Sequence, residues 1–222
     1  MRVCILIPAH NEAQAIGALV EKLKELSLDV VVVDDGSMDD TGSIARGKGA
    51  HVITIRERGG KGNAIQKGFA YVVDAGYDAL IMMDGDGQHA VEDVPKFINK
   101  FILSNASIIN GDRMQDRRDM PLLRRATNIF MSWLISVVCG QSIADTQCGF
   151  RLISCSVLRS IKLTSTNFEI ESEILIKASR QKFKIDSVAI QTIYQDEQSK
   201  IHPVKDTIRF FKFLVRELLS RE

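Results

Sequence analysis

Short apolar runs alternate along the chain with segments whose apolar residues recur at helical spacing. Residues 2–7 form a β-rich run ended by Pro8, and a helical pattern over 13–26 follows. Residues 29–33 are a second run, stopping at Asp34-Asp35-Gly36-Ser37, after which Asp39-Asp40-Thr41 opens a helix with acid at its positive end. A third run at 51–55 leads into Gly59-Gly60-Lys61-Gly62 and helical spacing to about residue 75. A fourth, 80–83, stops at Asp84-Gly85-Asp86-Gly87-Gln88-His89, followed by a helix over 91–103 and a strand over 106–110. Later come a helix over 126–139, a helix opened by 168–173, a strand over 184–194 and an amphipathic helix over 204–220. This order predicts an α/β fold with a mostly parallel central sheet and helices on both faces.

Composition narrows the class without naming a function. At 222 residues the chain suits one domain with a substantial core. A net charge of +1 provides no general attraction to nucleic acid, so basic chemistry must be local. The opening apolar run is too short for a signal peptide, and the stretch 129–139, broken by Ser132 and Ser136, is too short to span a bilayer. The four cysteines (Cys4, Cys139, Cys148 and Cys155) have no metal-finger spacing and fit reduced, buried thiols of a cytoplasmic protein.

The stretch ending at His89 carries the sharpest chemistry. Asp84 and Asp86 stand two residues apart at the carboxyl end of a buried strand, the edge where open α/β sheets bind ligands. Adjacent carboxylates repel unless a cation lies between them and an anion, and a hard divalent ion completed by substrate phosphates meets that need. Gln88 adds a neutral oxygen, and Gly85 lets the backbone come close to a ligand. A calcium loop of the EF-hand type is excluded, because His89 and Pro95 stand where glycine and glutamate are required. No GxGxxG follows the first strand, and Ile55 replaces the first glycine of a Walker loop. Taken alone, the Asp-Gly stretch also reads as a solvated turn or an aspartate-nucleophile site, and Gly59–Gly62 as a simple turn or a phosphate cradle.

The ordered set Pro8-Ala-His-Asn-Glu12, Val-Val-Asp-Asp-Gly-Ser37, Gly60-Lys-Gly62 and Met-Asp-Gly-Asp86-Gly-Gln-His closely resembles the inverting family 2 glycosyltransferases. Within them the best likeness is to dolichol- and polyprenyl-phosphate sugar transferases, and it covers residues 2 to about 205. The resemblance implies a glycosyltransferase A fold over 1–205, with the helix of 206–222 laid on that body or on a membrane. It also implies Mg2+ or Mn2+, a UDP- or GDP-linked nucleotide-sugar donor and a polyprenyl phosphate acceptor. By matching motif, Pro8, His10 and Glu12 resemble a wall of the nucleotide pocket, with His10 where the family usually has an aromatic. Asp34 and Asp35 resemble contacts to base or ribose, Lys61 a donor-binding residue, and Asp84, Asp86 and Gln88 the metal and diphosphate ligands.

In the second half Arg113 resembles an arginine near the diphosphate and begins a basic cluster with Arg117, Arg118, Arg124 and Arg125. Arginine forks suit phosphate, and a Trp133-bearing apolar helix beside them suits a lipid phosphate at a membrane surface. The bland alternative is a surface loop leading into a core helix. Asp145, in Asp-Thr-Gln-Cys-Gly-Phe-Arg151, resembles a residue that orients the acceptor or binds a sugar hydroxyl, with Arg151 an ion-pair partner. Glu171 or Glu169 resembles a site carboxylate, a base where the acceptor is a hydroxyl. Lys200 resembles the phosphate-reaching lysine of a Ser-Lys-Leu element, while Tyr194 stands near an expected arginine and the stretch 196–207 is closer to glucose-type relatives. Anchoring would then use these apolar surfaces or a small membrane partner.

Overall fold

Valine, isoleucine and leucine fill β1 (Val3–Ala9), β2 (Asp29–Asp35) and β4 (Ala79–Met82), where side chains are buried on both sides of the sheet. The structure, a computed structural model, describes residues 1–114, 122–191, 193 and 203–219, with backbone alone for 122–124 and 203–208. The remaining strands are β3 (His51–Ile55), β5 (Ile108–Asp112), β6 (Arg151–Ser154) and β7 (Ile185–Ala189). The helices are α1 (Ile16–Glu25), α2 (Thr41–Gly47), α3 (Lys61–Asp74), α4 (Val94–Leu103), α5 (Leu122–Cys139), α6 (Cys155–Ser160), α7 (Ile170–Arg180) and α8 (Pro203–Leu219).

One seven-stranded sheet runs in the order β3-β2-β1-β4-β6-β5-β7. Every pairing is parallel except the two made by β6, which lies antiparallel between β4 and β5. Alternation along each strand divides the core. Cys4, Leu6, Val31 and Val33 face α3, α5, α7 and α8 through residues such as Phe69, Ile135, Ile174 and Phe213. Ile5, Ile7, Val30 and Val32 face α1 and α4 through Val20, Leu23 and Phe97. The sheet is thus covered on both faces, as the period-2 and period-3.6 patterns imply.

Pro8 does not end the first strand. β1 runs on through Ala9, with Pro8 in register with Val33 of β2. The Leu6 carbonyl accepts from the Met83 N–H at 3.0 Å and so points toward β4. Pro8, two residues on, faces the same side beyond the end of β4, where its missing N–H costs no ladder bond. Likewise β2 continues through Asp34 and Asp35, and β5 lies slightly later than the apolar run indicates. The antiparallel β6 is not foreshadowed by any such run.

α8 packs Phe210, Phe213 and Leu214 into the core and exposes Phe211, Val215, Leu218 and Leu219. α5 buries Ile135 while exposing Ile129, Phe130, Trp133 and Val137. Among the described residues, no helix is long and apolar enough to cross a membrane.

Candidate active site

The chain order reverses at the β1–β4 pair: β2 and β3 lie on one side and the later strands on the other. The crevice beyond strand ends at such a point is where doubly wound sheets take ligands. The loop after β1, the end of β2, the start of α3 and the loop after β4 all reach this edge. β6 enters from it, because Arg151 pairs with Met82.

Lys61 is the hub. Its Nζ lies 2.6 Å from Asp84 Oδ1 and 2.6 Å from Glu171 Oε1, and 5.6 Å from the centre of the Phe168 ring. Burial would lower the ammonium's pKa, but Asp84 and Glu171 outweigh it and raise the value above that of ordinary lysine. Burial would likewise push Asp84 up, whereas Lys61 foremost, with His89, holds it far below the ordinary carboxylate range. Glu171 is steadied from behind by the fully buried Arg151, whose NH1 donates to the Glu171 carbonyl at 2.8 Å and whose NH2 donates to the Cys148 carbonyl at 2.6 Å. A Cβ on Gly149 would lie 2.8 Å from Asp84 Oδ2, so a side chain there would displace this carboxylate.

Backbone contacts aim this lysine. Asp35 accepts from the Gly59 and Gly60 N–H groups, both at 2.8 Å, and so ties β2 to the turn before α3. Gly60 has φ +91, and a Cβ there would meet the Thr166 carbonyl at 2.5 Å. The Gly62 N–H donates to the same carbonyl at 2.9 Å. Glu173 fixes that segment by accepting from Thr164 N at 2.9 Å and Ser165 N at 2.8 Å. Burial would raise the Glu173 carboxyl, but Lys177 and these donors pull it below its ordinary range.

The structure brings most of the sequence-predicted residues to one edge. Buried Pro8 lies in β1; His10 places Nδ1 2.8 Å from the Asp35 carbonyl. The Glu12 side chain lies against Gly85, whose added Cβ would sit 3.3 Å from Glu12 Cγ. Asp34 accepts from Ser37 N at 3.1 Å, and Asp86 from Gln88 N at 3.0 Å. Arg113 and Asp145 are paired with each other: Nε donates to Oδ2 at 2.7 Å and NH2 to Oδ1 at 3.0 Å. Both are buried, so this bidentate pair spends much of the hydrogen-bonding capacity that the sequence alone assigns to ligands. Lys200, Arg117 and Arg118 lie outside the described residues, as does the side chain of Arg124. The sequence places Gly149 and His89 inside its motifs but assigns neither a role.

Among the described residues, no three His, Cys, Asp or Glu side chains gather as a metal cage. The available donors beyond β4, two carboxylates and the Gln88 amide, are all oxygen. They fit a hard ion held by one or two carboxylates and completed by diphosphate oxygens. Beyond β5 lies a cavity of about 530 Å³, bordered by Asp112 and Met114 and by Ile129, Ser132 and Trp133 of α5. Its α5 wall includes Ile129 and Trp133, which are also exposed.

Comparison with known proteins agrees with this architecture. Residues 4–162 match the family model described as Glycosyl transferase family 2. The chain is 30% identical over 217 residues to the UDP-N-acetylglucosamine–dolichyl-phosphate N-acetylglucosaminyltransferase of Methanococcus voltae, covering 87% of this chain and 86% of that one. It is 30% identical over 222 residues to the dolichyl-phosphate hexose transferase of Haloferax volcanii, covering 98% and 94% of the two chains. The crystal structure of glucosyl-3-phosphoglycerate synthase from Mycobacterium tuberculosis, in complex with Mn2+, UDP and phosphoglyceric acid, superposes with TM-score 0.76 at 19% identity. That match covers 99% of this chain and 78% of the other and shows a common glycosyltransferase A fold.

Proposed function

The chain belongs to glycosyl transferase family 2, and from that premise we propose that it moves a hexose from a nucleotide-diphosphate sugar, UDP-glucose or GDP-mannose, to polyprenyl or dolichyl phosphate. The observation that carries the reading is the double ion pair of Lys61 with Asp84 and Glu171 beside Asp86, at the crevice between β1 and β4. Relatives named for dolichyl-phosphate acceptors support the lipid side, as does the cavity bordered by Ile129 and Trp133.

In this reading Asp84, Asp86 and Gln88 would hold Mg2+ or Mn2+, and structural neighbours have been solved in complex with UDP and Mn2+ or UDP and Mg2+. The ion would offset charge on the departing diphosphate. Lys61 supplies a fixed positive charge on the same side. Pro8, His10, Glu12, Asp34 and Asp35 line the nucleotide end, while the space beside Gly85 is taken up by Glu12, Ala9 and Ile7 rather than left to the donor. A phosphate monoester, with a second pKa of about 6, is already mostly ionised at pH 7 and attacks without a base. Glu171, held by Lys61, then serves as counter-ion to the lysine. A single in-line displacement inverts the anomeric centre. The exposed apolar faces of α5 and α8 would meet a cytoplasmic membrane surface.

The test is transfer of radiolabelled sugar from UDP-glucose, GDP-mannose and UDP-N-acetylglucosamine into organic-extractable lipid, with Asp86→Ala as control. Metal-dependent label lost in the variant is the expected result and names the donor. Donor binding without lipid label would overturn the acceptor.

A further inference from the structure

His89 has chemistry that the reaction above leaves unused. Its side chain is only 7% exposed, and among the described residues neither Nδ1 nor Nε2 makes a hydrogen bond. The ring packs against Phe150 with centroids 4.9 Å apart, and Phe150 against Phe97 at 4.3 Å. Phenylalanine would fill this aromatic slot without burying two nitrogens that lack a hydrogen bond, so packing gives no reason for an imidazole. The polar atom nearest in direction is informative: Nε2 lies 3.5 Å from Asp84 Oδ2, just short of a hydrogen bond. The other oxygen of Asp84 holds Lys61 at 2.6 Å, and bare Gly149 lies behind Oδ2. The carboxylate is therefore confined between an ammonium, an imidazole and naked backbone.

We propose that His89 is a positioning residue: it donates from Nε2 to Asp84 Oδ2 and, with Lys61 on Oδ1, fixes the plane in which that carboxylate meets a nucleoside diphosphate and its divalent cation. A shift of a few tenths of an ångström in the loop after β4 turns the 3.5 Å approach into a hydrogen bond when these bind. Carboxylates that ligate cations are themselves oriented by hydrogen bonds of this kind. The proposal rests on the reading of Asp84 as part of the diphosphate and cation site.

Binding of Mn2+ in the presence of UDP or of GDP, followed by the electron paramagnetic resonance of free Mn2+, separates the two ideas. Asp84→Asn is expected to weaken binding, and unchanged binding in that variant would remove the site reading itself. His89→Phe, which keeps the aromatic packing, is expected to weaken binding about 10-fold. It should add no further loss when combined with Asp84→Asn, because its effect runs through that carboxylate. His89→Gln, which retains an N–H donor, should recover most of the affinity. Binding of His89→Phe within two-fold of the parent, or equal losses in both backgrounds, would overturn the proposal. A readout without substitution is the ¹⁵N shift of His89 Nε2, expected to move toward a hydrogen-bonded donor on adding Mg2+ with UDP or GDP. No movement on saturation would likewise overturn it.

Discussion

Lys61 holds two carboxylates that come from distant parts of the chain, one on the loop after β4 and one on α7. Replacing it by methionine removes the one cation that both Asp84 and Glu171 contact among the described residues, leaving Glu171 only Arg151 at 3.9 Å. In chelator-treated protein at pH 7, Lys61→Met should lose about 2 kcal/mol of unfolding free energy. That is less than the roughly 3–5 kcal/mol of a broken, fully buried pair, because Asp84 keeps some exposure. The pH dependence has a definite sign. Asp84 is depressed below its ordinary value of 3.8, so its stabilisation is present above that pH and is lost as pH falls through the depressed value. Lys61 is raised above 10.5, so its share is present below that pH and is lost only as pH rises through the raised value. Denaturant melts should show the gap between parent and variant narrowing as pH drops below about 4. A gap independent of pH would refute the pairing. The sequence exposes Asp84, Asp86 and Lys61 through their glycine-flanked settings. It gives no sign that Lys61 meets Glu171, or that Arg113 and Asp145 consume each other, because such pairings depend on strand order.

α3 shows the same dependence at the level of elements. Its first turn is pressed onto the segment 164–166, where a Cβ on Gly62 would lie 2.5 Å from the Ser165 carbonyl. Gly62→Ala must push the helix start or that segment aside, so a loss of about 1–3 kcal/mol is expected. Donor-dependent turnover should fall with it, since Lys61 moves too. Gly47, where a Cβ meets nothing within 4 Å, is the control. Gly47→Ala should be neutral or stabilising by up to about 1 kcal/mol, read from the same thermal melts. The glycines before α3 announce a helix entry in the sequence, but the surface they press against comes from another part of the chain. β6 was illegible for a related reason. Four residues are too few for a period to register, and fully buried Arg151 breaks the apolar run.

For the whole molecule, alternation of strand and helix was enough to read a mostly parallel sheet covered on both faces. The same alternation could not reveal which strand would lie antiparallel. The outer faces of α5 and α8 remain apolar after the core is complete, with Phe130, Trp133, Phe211 and Val215 exposed. If these faces meet a bilayer, Phe130→Glu with Val137→Glu should cut co-sedimentation with anionic vesicles at least about 10-fold, given roughly 0.8 kcal/mol per buried methylene. Transfer to a short, water-soluble prenyl phosphate should change little. Equal losses on both acceptors would place the defect in folding or in the cavity instead.

The strand order also sets a timetable. β1, β2, β3 and β4 can pair among themselves as soon as the first 82 residues exist. β5 cannot join them, because its neighbours are β6 and β7, both made later. During synthesis at about 5–20 residues per second, β5 therefore waits with both edges unpaired for several seconds. A ribosome-stalled chain ending near residue 150 would present that buried strand, Ile-Ile-Asn-Gly-Asp, to chaperones and to other nascent chains.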